Sequence, residues 1–278
     1  MKVNTQRSKY VDVALKAYMG LFLAFLQAPL IILIVTSVNG GSVVTFPPTS
    51  FSLKWYPSLW AYLEEAPGVK PGLGSSIVTS LWLAFTAMVG ATIAGVGAAL
   101  VVERRQFPGK ALLRQLFLMP VIFPQLVTGV GLLVWFSAIG GVPISIRLLI
   151  GHLILTLPYV VLTVSASLQM FDERIDEAAM SLGATRIQTF WYVTLPNIRS
   201  GIISGAIFAW LVSMSNFTIS YFLFSGEKRP LPIWLFNLIQ YYIDPSIAAL
   251  SAVIVTLTLI VLVIINRLSA LGRLLGLR

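Results

Sequence analysis

Apolar residues along this chain neither alternate nor recur every three to four positions. They run in long blocks separated by short polar stretches. Six blocks stand out, at about 16–38, 76–102, 111–139, 147–170, 198–224 and 246–267. Each reaches or exceeds the roughly 20 residues a helix needs to cross the hydrocarbon core. In lipid such blocks must be helical or close a barrel, because backbone polar groups find no partners there. Barrel strands alternate apolar and polar residues, so the pattern predicts an all-α integral membrane protein with six transmembrane helices. No repeat with a period of roughly 20–50 residues is visible, and residues 1–278 read as one transmembrane domain.

Composition supports this class. The chain is 57% hydrophobic and 10% charged, with a mean hydropathy of +0.89, whereas globular chains carry about 25% charged residues. With no cysteine, disulfides and thiolate metal sites are excluded, and the single histidine, His152, excludes a multi-histidine metal centre. The first block follows Lys2, Arg7, Lys9 and Lys16, as in a signal peptide. Its apolar run is longer than the 7–15 residues of a signal core, and it reads as a retained helix.

The net charge of +9 is distributed as a membrane topology signal, not as a nucleic-acid patch. With the N-terminus inside, only Lys54, Lys70, Arg147, Lys228 and Arg229 of the 19 Lys and Arg residues fall outside. The positive-inside rule then puts both termini and the polar stretch 172–199 in the cytoplasm. The outer loop at 39–75 is rich in Pro, Gly and Ser. The last outer loop, PLPIWLFNLIQYYIDP, reads as a short interfacial helix with Trp234, Tyr241 and Tyr242 as aromatic-belt residues.

Two features inside the blocks bear on packing and transport. Gly201, Gly205, Ala209 and Ser213, and likewise Gly90, Ala94 and Ala98, recur every four residues, a spacing that lets helix backbones approach closely. Packing within this chain is the plainer reading, and contact with a second subunit the sharper one. Pro120 and Pro124 interrupt the third block and Pro158 the fourth. Ordinary kinks explain them; broken helices around a transport path are the alternative, which makes Gln125 a candidate path residue. His152, near an outer helix end, reads as interfacial, not as part of a proton relay.

The stretch DERIDEAAMSLGATRIQTFWYVTLPN carries the most specific pattern. Asp172 is suited to cap a helix whose first turn is acidic. Ile175, Ala178, Ala179 and Leu182 share one narrow apolar face. Gly183 predicts a left-handed stop. Thr185 and Gln188 form a capping box that opens a second short helix, which Leu195-Pro196 ends. An amphipathic hairpin lying on lipid is the competing reading. The acidic cluster Asp172, Glu173, Asp176 and Glu177 argues against it, since anionic headgroups repel it.

The pattern Glu177-Ala178-Ala179, three residues, Gly183, nine residues, Val193, then Leu195-Pro196 resembles the EAA loop of permease subunits of binding-protein-dependent ABC importers. The course W-L-V-S-M-S-N-F of the fifth block and the later P-L-P-I-W most resemble the second permease of the polyamine, opine, iron and phosphonate group. The resemblance implies a type I importer fold in a bacterial cytoplasmic membrane. Glu177, Ala178, Ala179, Leu182 and Gly183, with Leu195 and Pro196, would couple to a separate ATPase present in two copies. That ATPase would bind the ATP and Mg; this chain would bind no cofactor. A second, homologous permease and an extracytoplasmic binding protein complete the implied assembly.

Val193 departs mildly from the isoleucine common in that loop. A larger departure is that Ser215 and Asn216 stand where polyamine permeases tend to carry acidic residues. Asn216 reads either as path-lining or as an interhelical hydrogen-bonding residue. The substrate implied is a small polar solute: polyamine-like, amino-acid-derived, an opine or a phosphonate. No G-x-x-x-x-G-K-[ST] occurs in the chain, so it has no P-loop of its own. An autonomous secondary transporter or channel is the alternative class, but it leaves the polar loop without a role, and the acidic residues fall in loops or at span ends, which counts against ion coupling.

Overall fold

Continuous apolar blocks satisfy their backbones internally, and the computed structural model is helical accordingly. It describes residues 5–64, 70–226, 229–241 and 245–274, where the only strand-like pairing is an isolated bridge between Asn39 and Phe51. The helices are α1 (Thr5–Ser37), α2 (Trp55–Glu64), α3 (Leu73–Arg104), α4 (Lys110–Ile122), α5 (Gln125–Ile139) and α6 (Ile144–Met170). They continue with α7 (Arg174–Ser181), α8 (Arg186–Thr189), a π-helical turn Phe190–Thr194, α9 (Leu195–Ser215), α10 (Thr218–Leu223), α11 (Leu231–Tyr241) and α12 (Ser246–Leu274).

Among the described residues, four helices are individually long and apolar enough to cross a membrane: Val11–Ser37, Leu73–Arg104, Ile144–Met170 and Arg186–Ser215. The pair α4–α5, bent by 102°, adds one more span if the two helices are counted together. The sixth expected block coincides with α12, whose described apolar part, Ser246–Leu257, is shorter. The expected fifth block is corrected at both ends. Its helix runs back through the polar stretch to Arg186, and stops at Ser215 instead of continuing to residue 224.

The chain divides into two compact units, Met1–Leu63 with Leu238–Arg278, and Glu64–Asn237. In the first, α1 packs on α12. Only 6% of the apolar window of α1 is buried, as expected of a helix whose solvent is lipid. The loop after α1 is knitted by Asn39, fully buried, whose Nδ2 donates to the Val43 carbonyl at 2.9 Å and whose Oδ1 accepts the Gly41 amide at 3.0 Å. Tyr62 Oη and Ser246 Oγ lie 3.0 Å apart, hydrogen-bonded.

In the second unit, α3, α6 and α9 pack pairwise. Close approach is set by small residues. Gly201, Gly205, Ala209 and Ser213 all lie buried on one face of α9. A Cβ on Gly205 would stand 2.5 Å from Thr163 Oγ1 and 3.0 Å from Val160 Cα, so this stripe serves packing onto α6 within the chain. On α3 the buried stripe is Ala87, Ala91, Gly95 and Ala99, not the neighbouring Gly90, Ala94 and Ala98. Ala94 is exposed. Both stripes have the same spacing, and periodicity alone does not say which one faces the core.

Trp234 also departs from expectation. It is fully buried, donating from Nε1 to the Pro71 carbonyl at 3.0 Å, and so is no belt residue. Tyr242 and the side chain of Tyr241 lie outside the described residues.

Candidate functional site

The polar stretch folds as helix, glycine turn, helix. Asp172 Oδ1 accepts the Arg174 amide at 3.0 Å, satisfying a donor at the start of α7. Gly183 ends the helix at φ +95°, with no heavy atom near the place a Cβ would occupy. The Gly183 and Ala184 amides close the end by bonding the Met180 and Ala179 carbonyls. Thr185 and Gln188 form the reciprocal capping box that opens α8. From there the chain differs from expectation. Leu195-Pro196 ends nothing, because α8 passes through the π turn directly into α9. The widened turn shifts the upstream carbonyls, where a proline ring would otherwise clash. Asn197 Nδ2 satisfies the Val193 carbonyl at 2.7 Å.

The apolar face of α7 is left uncovered. Ile175 is 47% exposed and Leu182 90%, with Ala178 exposed and Ala179 half-buried between them. The opposite face is pinned. Arg104, the last residue of α3, reaches Glu173 Oε1 at 2.9 Å from Nη1 and Asp176 Oδ2 at 3.4 Å from Nη2. Its guanidinium lies 5.1 Å from the centre of the Phe171 ring. Thr194, in the π turn, donates to the other Asp176 oxygen at 2.9 Å. Asp176 therefore ties α7 to α3 and to the root of α9 at once. Glu103, one residue before Arg104 on α3, accepts from Gln169 Nε2 and pairs with Arg114. An open hollow of about 460 Å³ between α3, α7 and the π turn is edged by Arg105, Glu177 and Arg186. Sequence reasoning missed Arg104 and Thr194; the helix-end position of the first and the π turn of the second give no pattern in the chain.

A second region lies inside the spans, where two helices are broken. Pro124 holds Phe123 in the extended region (φ −72°, ψ 140°), and α4 and α5 meet at 102°. Pro120 and Pro158, by contrast, sit inside continuous helices. The second break follows Ser215. Asn216 is extended (φ −74°, ψ 113°), and α10 restarts two residues later.

The two breaks are joined. Asn216 Nδ2 donates to Gln125 Oε1 at 3.0 Å. Asn216 Oδ1 accepts the Ile219 amide at 3.0 Å and the Ser220 amide at 3.4 Å, two of the orphan donors that begin a helix. Asn216 is thus buried at a break, not mid-helix as the apolar pattern suggested. Gln125 is exposed, at the open side of the pair. Ser215 is exposed and stays apart; its hydroxyl bonds back to the Leu211 carbonyl at 2.9 Å.

His152 is the other surprise. It lies two turns into α6 and is 1% exposed, facing neither lipid nor water. Its Nδ1 is 2.7 Å from Ser213 Oγ and its Nε2 is 3.0 Å from Ser220 Oγ. The position near a block end was legible in the sequence; the two serine partners, 61 and 68 residues away, were not.

Two broken helices joined by a hydrogen bond, with a polar helix hairpin at one end of the same helical core, fit a transport subunit. The chain belongs to the family of binding-protein-dependent transport system inner membrane components, which matches residues 91–271. It is therefore the permease of an ABC importer, a multi-pass membrane protein and not an enzyme. ATP is hydrolysed by a separate subunit, and a substrate-binding protein is the other partner the family implies. The chain is 32% identical over 237 residues to the putrescine transport system permease protein PotI of Escherichia coli K12, covering 83% of this chain and 81% of that protein. To the spermidine/putrescine transport system permease protein PotC of Haemophilus influenzae it is 29% identical over 251 residues, covering 89% and 93%. The fold is shared with a solved bacterial ABC transporter involved in alginate import, at a TM-score of 0.71 and 15% identity over 96% of this chain and 98% of that one.

Proposed function

We propose that this chain forms half of a translocation path for a polyamine, and that α7 is the helix through which a separate ATPase drives it. The relatives support the substrate class, since they are permeases of putrescine and spermidine/putrescine transport systems. The joined breaks carry the path reading. Unwound backbone inside a span is tolerated where it is buried in protein or lines a cavity, and Asn216 and Gln125 are the polar side chains held there. With Ser215 beside them, they are neutral donors and acceptors. The path then passes a polycation without a fixed counter-charge, and does not hold it.

Coupling follows from how α7 is held. Glu177, Ala178, Ala179 and Leu182 offer an uncovered, small-residue face that fits a groove closely, while Arg104 and Thr194 tie the other face to α3 and α9. Force applied to α7 reaches both spans through Asp176. Gly183 sets the angle of the hairpin, and Leu195 and Pro196 lie where it enters the span. ATP and Mg act on two ATPase copies; this chain binds neither. The remaining partners are a homologous second permease and an extracytoplasmic binding protein, in the inner membrane with this chain's termini on the cytoplasmic side. ATP binds one arrangement of the assembly better than the other, and that difference in affinity drives the switch.

Purification through a C-terminal tag in mild detergent, followed by ATPase assay and reconstituted uptake of radiolabelled putrescine, tests the reading. A co-purifying P-loop ATPase that is lost in a Glu177→Ala, Gly183→Val double variant is the expected result. A chain that purifies alone and moves putrescine without ATP would overturn it.

A further inference from the structure

We infer that His152 is a positioning residue that holds the fifth span broken at Asn216. This rests on the reading of Asn216 and Gln125 as path residues. Ser213 lies in the last turn of α9 and Ser220 within α10, on opposite sides of the break. On an unbroken helix, residues seven apart stand roughly 10 Å apart along the axis. One imidazole with a hydrogen bond at each nitrogen spans roughly 8 Å even when fully in line. His152 therefore reaches both serines only because the chain bends between them. Straightening the span removes at least one of these bonds and leaves a fully buried polar atom without a partner, which is what makes the broken form the favoured one.

The surrounding residues are shaped for the same arrangement. Gly151, beside His152, lets α10 come close: a Cβ there would stand 2.5 Å from Leu223 Cδ1 and 2.7 Å from Ile219 Cγ2. Ser213 and Ser220 are both buried, and Thr156 Oγ1 bonds the His152 carbonyl at 2.7 Å, so this turn of α6 is itself fixed. In a neutral imidazole one nitrogen donates and the other accepts, so one serine hydroxyl accepts and the other donates. The result is a closed set of bonds from α6 to α9 and α10, next to the Asn216–Gln125 bond from α10's start to α5. One fixes where the break is; the other fixes which side chains the break presents.

The chain contains no cysteine, so a single introduced thiol is its one maleimide site, and labelling is read on this chain after it is separated from the other subunits. Ile219, 1% exposed, becomes the reporter as Ile219→Cys, reacted with a small membrane-permeant maleimide in the assembled transporter. Uptake of radiolabelled putrescine per assembled complex is measured alongside, without the reporter. His152→Leu, which keeps volume and removes both bonds, is expected to raise labelling about tenfold and to lower uptake by a similar factor, the loss expected from two interhelical bonds. The ATPase should remain bound. His152→Gln, which retains a donor and an acceptor, should recover part of both.

Unchanged labelling in His152→Leu overturns the inference, whatever happens to uptake. If that variant does not accumulate, Ser213→Ala with Ser220→Ala decides. Raised labelling supports the clasp, and wild-type labelling overturns it. Normal uptake in Asn216→Leu, with labelling still dependent on His152, would remove the path reading and leave the clasp standing.

Discussion

Asn216 and Gln125, 91 residues apart in the chain, are joined by a 3.0 Å hydrogen bond that links the break in one membrane helix to the break in another. Each break alone has a local cause: Pro124 for the first, and an extended Asn216 that caps the next helix for the second. Their meeting makes a polar point that runs from the buried Asn216 to the exposed Gln125.

Asn216→Leu should lower putrescine uptake about tenfold in the assembled complex, since it removes the bond to Gln125 and two backbone caps. Gln125→Leu, which removes only the shared bond, should cost less. Uptake normalised to ATPase bound separates the two, and equal, wild-type rates would return both residues to packing.

Gly183 sits at φ +95° with open space around it, so backbone strain alone decides what it tolerates. A Cβ in the left-handed region costs about 1–2 kcal/mol, and asparagine bears it best. Gly183→Asn should keep uptake near wild type. Gly183→Val should insert normally and lose uptake, as β-branched residues are the poorest fit there.

Arg104 and Asp176 offer a double-mutant cycle. Arg104→Ala and Asp176→Ala should each lower uptake without preventing insertion, and the double variant should be little worse than either. A coupling energy of about 1 kcal/mol in thermal unfolding is expected for residues sharing one network. Arg104→Lys should recover only part, because a lysine cannot hold Glu173 and Asp176 together in a fork. Full additivity would separate α7 from α3.

Gly205→Ala should destabilise the purified protein by about 1–3 kcal/mol, the range for overpacking, since its Cβ would press on Thr163 and Val160. Gly97→Ala on α3, where a Cβ meets nothing, should cost nothing and stabilise by up to about 1 kcal/mol, alanine being the better helix former. Thermal unfolding in detergent compares them directly.

The sequence by itself determined what depends on local physics. Long apolar blocks dictate membrane helices because lipid leaves the backbone no other choice. Asp172, Gly183, Thr185 and Gln188 dictate the hairpin because caps and left-handed turns are set within a few residues, and each is where the pattern put it. The E-A-A…G pattern pointed to the importer family that residues 91–271 match. Only the tertiary structure decided what depends on long-range partners. An apolar block reads the same whether its helix is whole or broken, so hydropathy did not reveal that the fifth span stops at Ser215. A lone histidine near a block end reads as interfacial until Ser213 and Ser220 are found beside it. Two small-residue stripes of equal spacing cannot be ranked until α6 covers one of them. Arg104 reads as a topology charge, and became an anchor only when the end of α3 met α7. Local rules fix helices and turns; which side chains share a point in space is set by packing between segments far apart in the chain.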